Sequence, residues 1–284
     1  MIEKILLADS GTGNTEAMMK ALMEIPLIQR ANVTVLHVVP PQVSAEGMTE
    51  KWEAGGRTLA EAIKKLDLDP AHVTAMLREG DPKDIVIKVA NETNADLIIM
   101  GSRGLKGLKA ILDNSVSQYV FQLSSRPMLL VKDDLYSIRP IKRVMVAMDK
   151  SDSAQEGLKL GINLLRDISG GELVLVHTVS NLKARPFDET EPDPNKDPVL
   201  TEAAAEAKRY GLKTVLSAPE GKAGRRICQL AEDKNVDLII LGSPDRRPSI
   251  AKGMPDLDRL LGESLSDYVR VYTPCPVLLT RIAS

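Results

Sequence analysis

The chain repeats itself with a period of about 140 residues, and this repeat limits the folds open to it. A period of this size is far longer than the ~20–50 residues of a solenoid repeat. The sequence therefore predicts two copies of one domain, over residues 1–138 and 139–284. The repeat is carried by matched residues 140 or 141 positions apart: Asp9 and Asp149, His37 and His177, Gly80 and Gly221, Asp96 and Asp237, Gly101 and Gly242.

Each copy alternates short apolar strands with helices. The predicted strands of the first copy are Ile5–Ala8, Val33–Val39, Val73–Arg78, Leu97–Met100 and Met128–Val131. Those of the second copy are Val144–Met148, Leu173–His177, Thr214–Ala218, Leu238–Leu241 and Val277–Thr280. Strands that alternate with helices pair in parallel through right-handed crossovers. The pattern predicts an α/β fold of two tandem, doubly wound, five-stranded parallel-sheet domains, with ligands at the carboxyl ends of the strands.

Apolar residues at helical spacing predict the intervening helices. They are expected over Thr15–Met23, from about residue 43 to Leu66, and from Pro82 to the Asn91–Asn94 region. Two later helices are expected to bury the stripes Val116, Tyr119, Val120, Leu123 and Leu265, Tyr268, Val269, Tyr272. The Pro-rich, acidic stretch Ser180–Pro198 is expected to form a mobile surface loop.

The composition excludes several classes of partner. The net charge of −2 and the aromatic content of 3% argue against nucleic-acid binding. No apolar run approaches the ~20 residues of a membrane span, and the N-terminus has no signal-peptide pattern. Cys228 and Cys275 are too few for a disulfide framework and have no metal-site spacing. We therefore expect a cytoplasmic protein that binds neither nucleic acid nor membrane.

One stretch of the first copy predicts an anion site. The strand Leu97–Met100 leads into Gly101 and Gly104, and a helix follows after Asn114 and Ser115. Glycines let a ligand approach the main chain closely, and the N–H groups at a helix start favour phosphate. The fuller pattern is Gly-x-x-Gly, nine residues, a small residue and then Ser. It resembles the nucleotide-binding signature of the universal stress protein family, with Asn114 where the family usually has glycine.

The resemblance implies a fold, a ligand and partners. The fold would be the universal stress protein, or adenine nucleotide alpha hydrolase-like, fold, with the two copies paired through their fifth strands as an internal pseudo-dimer. The ligand would be ATP, with Mg or Mn carried on its phosphates. The partners would be a second tandem chain in a homodimer and a protein of unknown identity. The role would be regulatory, in a stress response.

The resemblance also implies roles for single residues. Asp9 would contact the adenosine, Val38 and Met100 would border the base, and the loop and helix start would hold the phosphates. Arg103 could either pair with phosphate or be solvated, and the sequence does not decide between the two. His37 and His177 are interpreted as core histidines. No catalytic or metal-ligating residue is predicted, so any hydrolysis should be slow and the question of an enzyme stays open. The predicted nucleotide-binding residues are Asp9, Val38, Met100, Gly101, Arg103, Gly104, Asn114, Ser115 and Val116.

The second copy has lost this loop. Gly242 is retained, but Pro244 and Asp245 follow it, and eight residues are inserted before the pattern resumes. A carboxylate at this position repels phosphate. The sequence therefore predicts that the first copy binds nucleotide and that the second does not bind it in the same way. The inserted residues Arg246, Arg247 and Lys252 are either solvated or reach an anion.

Three other functions remain open from the sequence. The first is a family member that has lost nucleotide binding and acts as a protein-interaction module. The second is a sensor of AMP or a cyclic nucleotide. The third is an ATP-using enzyme of a related fold. Asn114 and the altered second loop motivate the first of these.

The substitution Gly104→Asp tests the location of the phosphate site, because it gives the first copy the acidic residue of the second. We expect a loss of ATP affinity from charge repulsion, measured by equilibrium titration. Unchanged affinity would mean that the phosphates bind elsewhere.

Overall fold

The computed structural model describes residues 2–11, 14–102, 116–132, 138–178, 192–243 and 265–281. The chain divides into two compact units, unit 1 over Met1–Ile138 and unit 2 from Arg139 onwards. None of the helices in the described ranges combines the length and the apolar character that a membrane span requires.

Unit 1 is a doubly wound α/β sheet. Its strands are all parallel and lie in the order β3-β2-β1-β4-β5. The strand order reverses between β1 and β4, which is therefore the topological switch point. The elements are β1 Lys4–Ala8, α1 Thr15–Met23, β2 Asn32–Val39, α2 Ala45–Leu66, β3 Val73–Glu79, α3 Pro82–Glu92, β4 Leu97–Ser102, α4 Val116–Leu123 and β5 Met128–Lys132.

Unit 2 repeats the plan of unit 1. Its strands are parallel in the order β10-β9-β6-β7-β8, so its switch point lies between β6 and β9. The elements are β6 Arg143–Ala147, α5 Asp152–Leu165, β7 Glu172–Val176, α6 Pro198–Arg209, β8 Lys213–Ser217, α7 Ala223–Asp233, β9 Leu238–Gly242, α8 Leu265–Tyr272 and β10 Val277–Thr280.

The central strands form the core of each unit. Leu6, Leu7, Ile98 and Ile99 of β1 and β4 are fully buried, as are Val146 and Ile240 of β6 and β9. Parallel strands covered on both faces need such unbroken apolar runs. The predicted fold class is confirmed, and every predicted strand ends within one or two residues of the observed one.

The predicted stripe of α4 is wrong in part. Tyr119 and Leu123 are 36% and 38% exposed, whereas Ser117 and Gln118 are buried beside Val120. An eight-residue helix with apolar residues on two flanks has no single rotation fixed by its sequence. Packing of α4 on α3 and β4 sets the rotation instead, and the Tyr119 ring lies under the Lys83 ammonium of α3.

The corresponding helix of unit 2 departs from its predicted stripe in the same way. Leu265 and Tyr272 of α8 are 38% and 46% exposed, while Arg270 is only 7% exposed. The Arg270 guanidinium lies 3.2 Å from the Asp267 carboxylate one turn earlier. Burial lowers the pKa of Arg270, and the charge of Asp267 opposes this effect.

The predicted surface loop before α6 is shorter than expected. Residues 179–191 lie outside the described residues, but Pro194–Lys196 forms a short 3-10 turn. Asp193 accepts from the Asn195 main-chain N–H at the start of this turn. Asp197 caps α6 in turn, so the last part of the predicted loop has regular hydrogen bonding.

Helix α2 packs on the sheet through a glycine. A methyl group added at Gly55 would lie 2.8 Å from Val39 Cγ2 and 3.1 Å from His37 Cδ2, both on β2. The adjacent Gly56 has no heavy atom within 4 Å of the same position. The close approach of α2 to β2 therefore depends on Gly55 and not on Gly56.

This pair of glycines gives a matched test of the packing. Gly56→Ala should raise the free energy of unfolding by about 0.5–1 kcal/mol, because alanine favours the helix. Gly55→Ala should lower it by about 1 kcal/mol, because overpacking against Val39 outweighs the same gain. Urea unfolding of both variants followed by circular dichroism measures the difference. Stabilisation of equal size in both would contradict the close packing of α2.

Candidate functional site

The carboxyl ends of three strands meet at the switch point of unit 1. Ala8 of β1 lies opposite Leu36 of β2 and Met100 of β4 in the parallel register. Asp9 follows Ala8 directly, and its main-chain N–H donates to Leu36 O at 2.9 Å. The register therefore places Asp9 between the end of β2 and the end of β4.

Asp9 is a buried carboxylate with an incomplete set of hydrogen bonds. It is 4% exposed, and its Oδ1 accepts from the Thr15 hydroxyl at 3.4 Å. Its Oδ2 is buried and has no hydrogen-bond partner among the described residues. Burial raises the pKa of Asp9, as does the charge of Glu16, against the lowering effects of the Gly11 N–H, His37 and Lys65. This oxygen is suited to accept a hydrogen bond from a ligand, because a buried polar atom without a partner is costly.

The other predicted site residues are placed as follows. Met100 is buried with 6% exposure near the end of β4, opposite Ala8 in the register, and Gly101 follows it, half-buried. Val38 is half-buried near the end of β2, and Val116 is half-buried at the start of α4, which contacts β4. Arg103, Gly104, Asn114 and Ser115 lie outside the described residues, as do Arg246, Arg247 and Lys252 of unit 2.

Two further residues belong to this cluster and were missed by the sequence analysis. Glu16 is 7% exposed in the first turn of α1, and its Oε1 lies 3.4 Å from Lys65 Nζ of α2. Thr15 is 1% exposed and lies between Asp9 and Glu16. An acidic residue in the first turn of a helix is common, so the sequence did not indicate that Glu16 lies near the site. Lys65 is 49 residues away in the chain, so only the tertiary structure pairs it with Glu16.

The histidines expected in the core are half-buried and hydrogen-bonded. His37 Nδ1 donates to Asp9 O at 3.0 Å, which ties β2 to the turn after β1. His177 Nδ1 donates to the Asp197 carboxylate at 2.7 Å. His37 therefore holds the turn that follows β1, and His177 holds the residue that precedes α6. The spacing of residues in the sequence did not indicate either hydrogen bond.

The counterpart of Asp9 in unit 2 has a different environment. Asp149 is exposed, and its Oδ1 accepts from the Ser151 N–H at 2.8 Å and from the Ser151 hydroxyl. Ser151 in turn caps α5 by accepting from the Ala154 N–H at 3.2 Å. Gly11 occupies the position of Ser151 in unit 1, with a φ of 80°, and provides no such hydroxyl.

The first helix also begins at a different point in the two units. Helix α5 begins at Asp152, which corresponds to residue 12 when the 140-residue offset between the copies is subtracted, whereas α1 begins at Thr15. The early start of α5 brings its main chain onto β9: a methyl group at Gly242 would lie 2.6 Å from Ala154 N and 2.7 Å from Ser153 C. Thr280 Oγ1 donates to Ser153 O at 3.1 Å and holds it there. The backbone of α5 thus packs against Gly242, the counterpart of Gly101.

The arrangement defines a class of protein with two α/β units, each of which has a topological switch point in its parallel sheet. The universal stress protein family model matches residues 1–132 and 140–281. The chain therefore belongs to the universal stress protein family.

Individual relatives agree with this assignment. The chain is 28% identical over 148 residues to Universal stress protein YxiE of Bacillus subtilis, across 46% of this chain and 100% of the relative. It is 28% identical over 162 residues to Stress response protein NhaX of the same organism, across 46% of this chain and 98% of the relative. A crystal structure of a universal stress protein from Archaeoglobus fulgidus matches the fold with a TM-score of 0.75 and 24% identity, covering 98% of this chain and 96% of that one.

Asp197 stabilises unit 2 by capping α6. Its Oδ1 accepts from Val199 N at 2.9 Å and Leu200 N at 3.2 Å, while Oδ2 accepts from His177. Burial raises the pKa of Asp197, but these hydrogen bonds outweigh burial and lower it below 3.8. A carboxylate with a lowered pKa stabilises the fold above its unfolded-state pKa, and this stabilisation is lost as pH falls through its folded-state pKa.

We expect Asp197→Ala to lower the free energy of unfolding by about 1–2 kcal/mol at pH 7, because a helix cap is lost. The loss should shrink as the pH falls below 3.8, the ordinary value, since wild type then loses the same contribution. Urea unfolding at a series of pH values measures this. Asp193→Ala is the control, with a smaller effect, because exposed Asp193 caps only the short turn Pro194–Lys196. Equal effects of the two variants would contradict this role.

Proposed function

We propose that unit 1 binds ATP at the switch point between β1 and β4, and that the protein acts in a stress response through its nucleotide-bound state. The observation that carries this proposal is Asp9 Oδ2, a buried carboxylate oxygen without a hydrogen-bond partner among the described residues. It lies at the carboxyl end of β1, where ligands bind in doubly wound sheets. A ribose hydroxyl would supply the donor that this oxygen needs.

The other residues take roles that match their places in the unit. Val38 and Met100, at the ends of β2 and β4, would border the base and ribose. The main-chain N–H groups from Gly101 onwards would hold the phosphates, as glycine permits close approach. The remaining members of the proposed site are Arg103, Gly104, Asn114, Ser115 and Val116.

The contrast between the units supports nucleotide binding by unit 1 alone. In unit 2 the main chain of Ser153 and Ala154 packs against Gly242, so phosphate could not approach that glycine in the same way. Asp149 is exposed and already accepts two hydrogen bonds from Ser151. Unit 2 therefore lacks a buried acceptor at this position, and the main chain of α5 covers its glycine.

The chemistry proposed for the site is binding with slow hydrolysis or none. Mg or Mn would be carried on the phosphate oxygens of ATP, where it would neutralise their charge. Among the described residues, no group of three or more His, Cys, Asp or Glu side chains is placed to hold a metal ion.

The biological role is inferred from the family and from the name of the relative Stress response protein NhaX. Location in the cytoplasm, a homodimer of tandem chains and an unidentified protein partner remain predictions.

Mass spectrometry of small molecules released from the purified protein tests the proposal most directly. We expect ATP at a stoichiometry near one per chain. Competition titration with ATP, AMP and cyclic AMP then tests whether the pocket prefers three phosphates. Preference for AMP or cyclic AMP would favour the sensor function, and no binding of any of the three would favour the interaction module.

Replacement of the buried carboxylate gives a second test. Asp9→Asn should weaken ATP binding about tenfold to hundredfold, because a hydrogen bond to a charged acceptor is lost. The same change should raise the stability of the ligand-free protein increasingly as the pH rises above 3.8, the ordinary value, since it removes a buried carboxylate with a raised pKa. Titration calorimetry and urea unfolding measure the two effects. Asp149→Asn is the control and should leave ATP affinity unchanged; a loss of affinity there instead would place the site in unit 2.

A further inference from the structure

One hydroxyl group in unit 1 lies between two buried carboxylates. Thr15 Oγ1 is 3.4 Å from Asp9 Oδ1 and 3.5 Å from Glu16 Oε2. The three residues are between 1% and 7% exposed. A hydroxyl has one hydrogen, so it can donate to only one of the carboxylates at a time. If Asp9 carries a proton, Asp9 can donate to Thr15 and Thr15 can donate to Glu16, and each contact then has a hydrogen.

The residues around Asp9 lie on several helices and strands, and only some of them are charged. Glu16 of α1 is negative, Lys65 of α2 is positive, and His37 of β2 binds the main chain of Asp9. On β4, Met100 lies opposite Ala8 in the register, and both Met100 and the next residue, Gly101, are uncharged. Lys132 at the end of β5 is 3% exposed, and its main-chain oxygen accepts from Asn14 Nδ2 in the turn that follows Asp9.

The net effect of these groups is to raise the pKa of Asp9 above its ordinary value. Burial raises the pKa of Asp9 most, and Glu16 raises it further. The Gly11 N–H, His37 and Lys65 lower the pKa of Asp9 without cancelling this increase. The ion pair of Glu16 with Lys65 spans 3.4 Å, and the Lys65 side chain is 62% exposed, so solvent screens its positive charge.

We propose that Glu16 and Thr15 are positioning residues that favour the protonated form of Asp9 in the ligand-free protein, and that a donor group of the ligand favours the ionised form on binding. The inference rests on the proposed function, because it concerns the same pocket and its nucleotide. Thr15 holds the Asp9 carboxyl in place, and Glu16 sets its charge. The pocket then selects ligands with a hydroxyl or N–H donor opposite Asp9, such as a ribose.

The proposal gives the pH dependence of binding a definite sign. A donor that binds Asp9 favours its ionised form, so binding releases the proton. ATP affinity should rise with pH, by up to about tenfold per pH unit, until it passes the pKa of Asp9 in the free protein. Above that pKa the affinity should level off.

Two variants break the same ion pair and should act in opposite directions. Glu16→Gln removes a negative charge near Asp9, so it should lower the pKa of Asp9. Lys65→Met removes a positive charge, so it should raise the pKa of Asp9. A merely structural role of the ion pair predicts a shift in the same direction for both.

The first experiment needs no nucleotide. Carboxyl carbon-13 NMR of the ligand-free protein follows the titration of Asp9, with its signal assigned by its loss in Asp9→Asn. We expect the pKa of Asp9 to lie above its ordinary value in wild type. Relative to wild type, the pKa of Asp9 should be lower in Glu16→Gln and higher in Lys65→Met. Ordinary titration in wild type, or shifts in one direction for both variants, would overturn the inference. Thermal unfolding confirms that each variant is folded.

The second experiment measures ATP affinity against pH for wild type and the same two variants. The titration of ATP itself is common to all three and cancels in the comparison. We expect the midpoint of the affinity profile to move down for Glu16→Gln and up for Lys65→Met. Identical profiles would refute the coupling of the proton to binding. If the NMR result holds but ATP does not bind, the proposed function fails and the proton on Asp9 stands.

Discussion

β1 pairs in parallel with β2 on one side and with β4 on the other, so that Ala8 lies opposite both Leu36 and Met100. This register fixes the position of Asp9, because the next residue of β1 must emerge between the two neighbouring strand ends. The apolar runs of β1 and β4 are buried on both faces, and a slip of one residue would turn core side chains outward. The geometry of the site therefore depends on the same contacts that stabilise the core.

The two units share this plan but differ at the crevice, and the difference begins in the turn after the first strand. In unit 2, Ser151 caps α5 and holds Asp149, so the helix begins early and its main chain packs on Gly242. In unit 1, the matching residue is Gly11, and α1 begins three positions later in the repeat. The capping residue Ser151 of unit 2 therefore lies beside a solvated carboxylate, whereas unit 1 has Gly11 at this position and a buried carboxylate.

How far the sequence could predict the molecule depends on the range of the interactions involved. The strand Leu97–Met100 could be predicted because an unbroken apolar run can be recognised without knowledge of its partners, and β4 contains this run. The rotation of α4 could not, because Tyr119 and Val120 are both apolar and only packing decides which is buried. The hydrogen bond between His177 and Asp197 could not be predicted either, since the two residues are 20 positions apart in the chain.

The sequence by itself determined the repeat, the strand pattern and the resemblance to the family, because each can be recognised from residue types and their spacing. The resemblance also led to the prediction that Asp9 is a site residue. Only the tertiary structure decided the environment of the Asp9 carboxylate. Its burial, the nearby charge of Glu16 and the reach of Lys65 from α2 join residues up to 56 positions apart. Electrostatic effects depend on distance in space and on exclusion of water, and neither can be read from the order of residues.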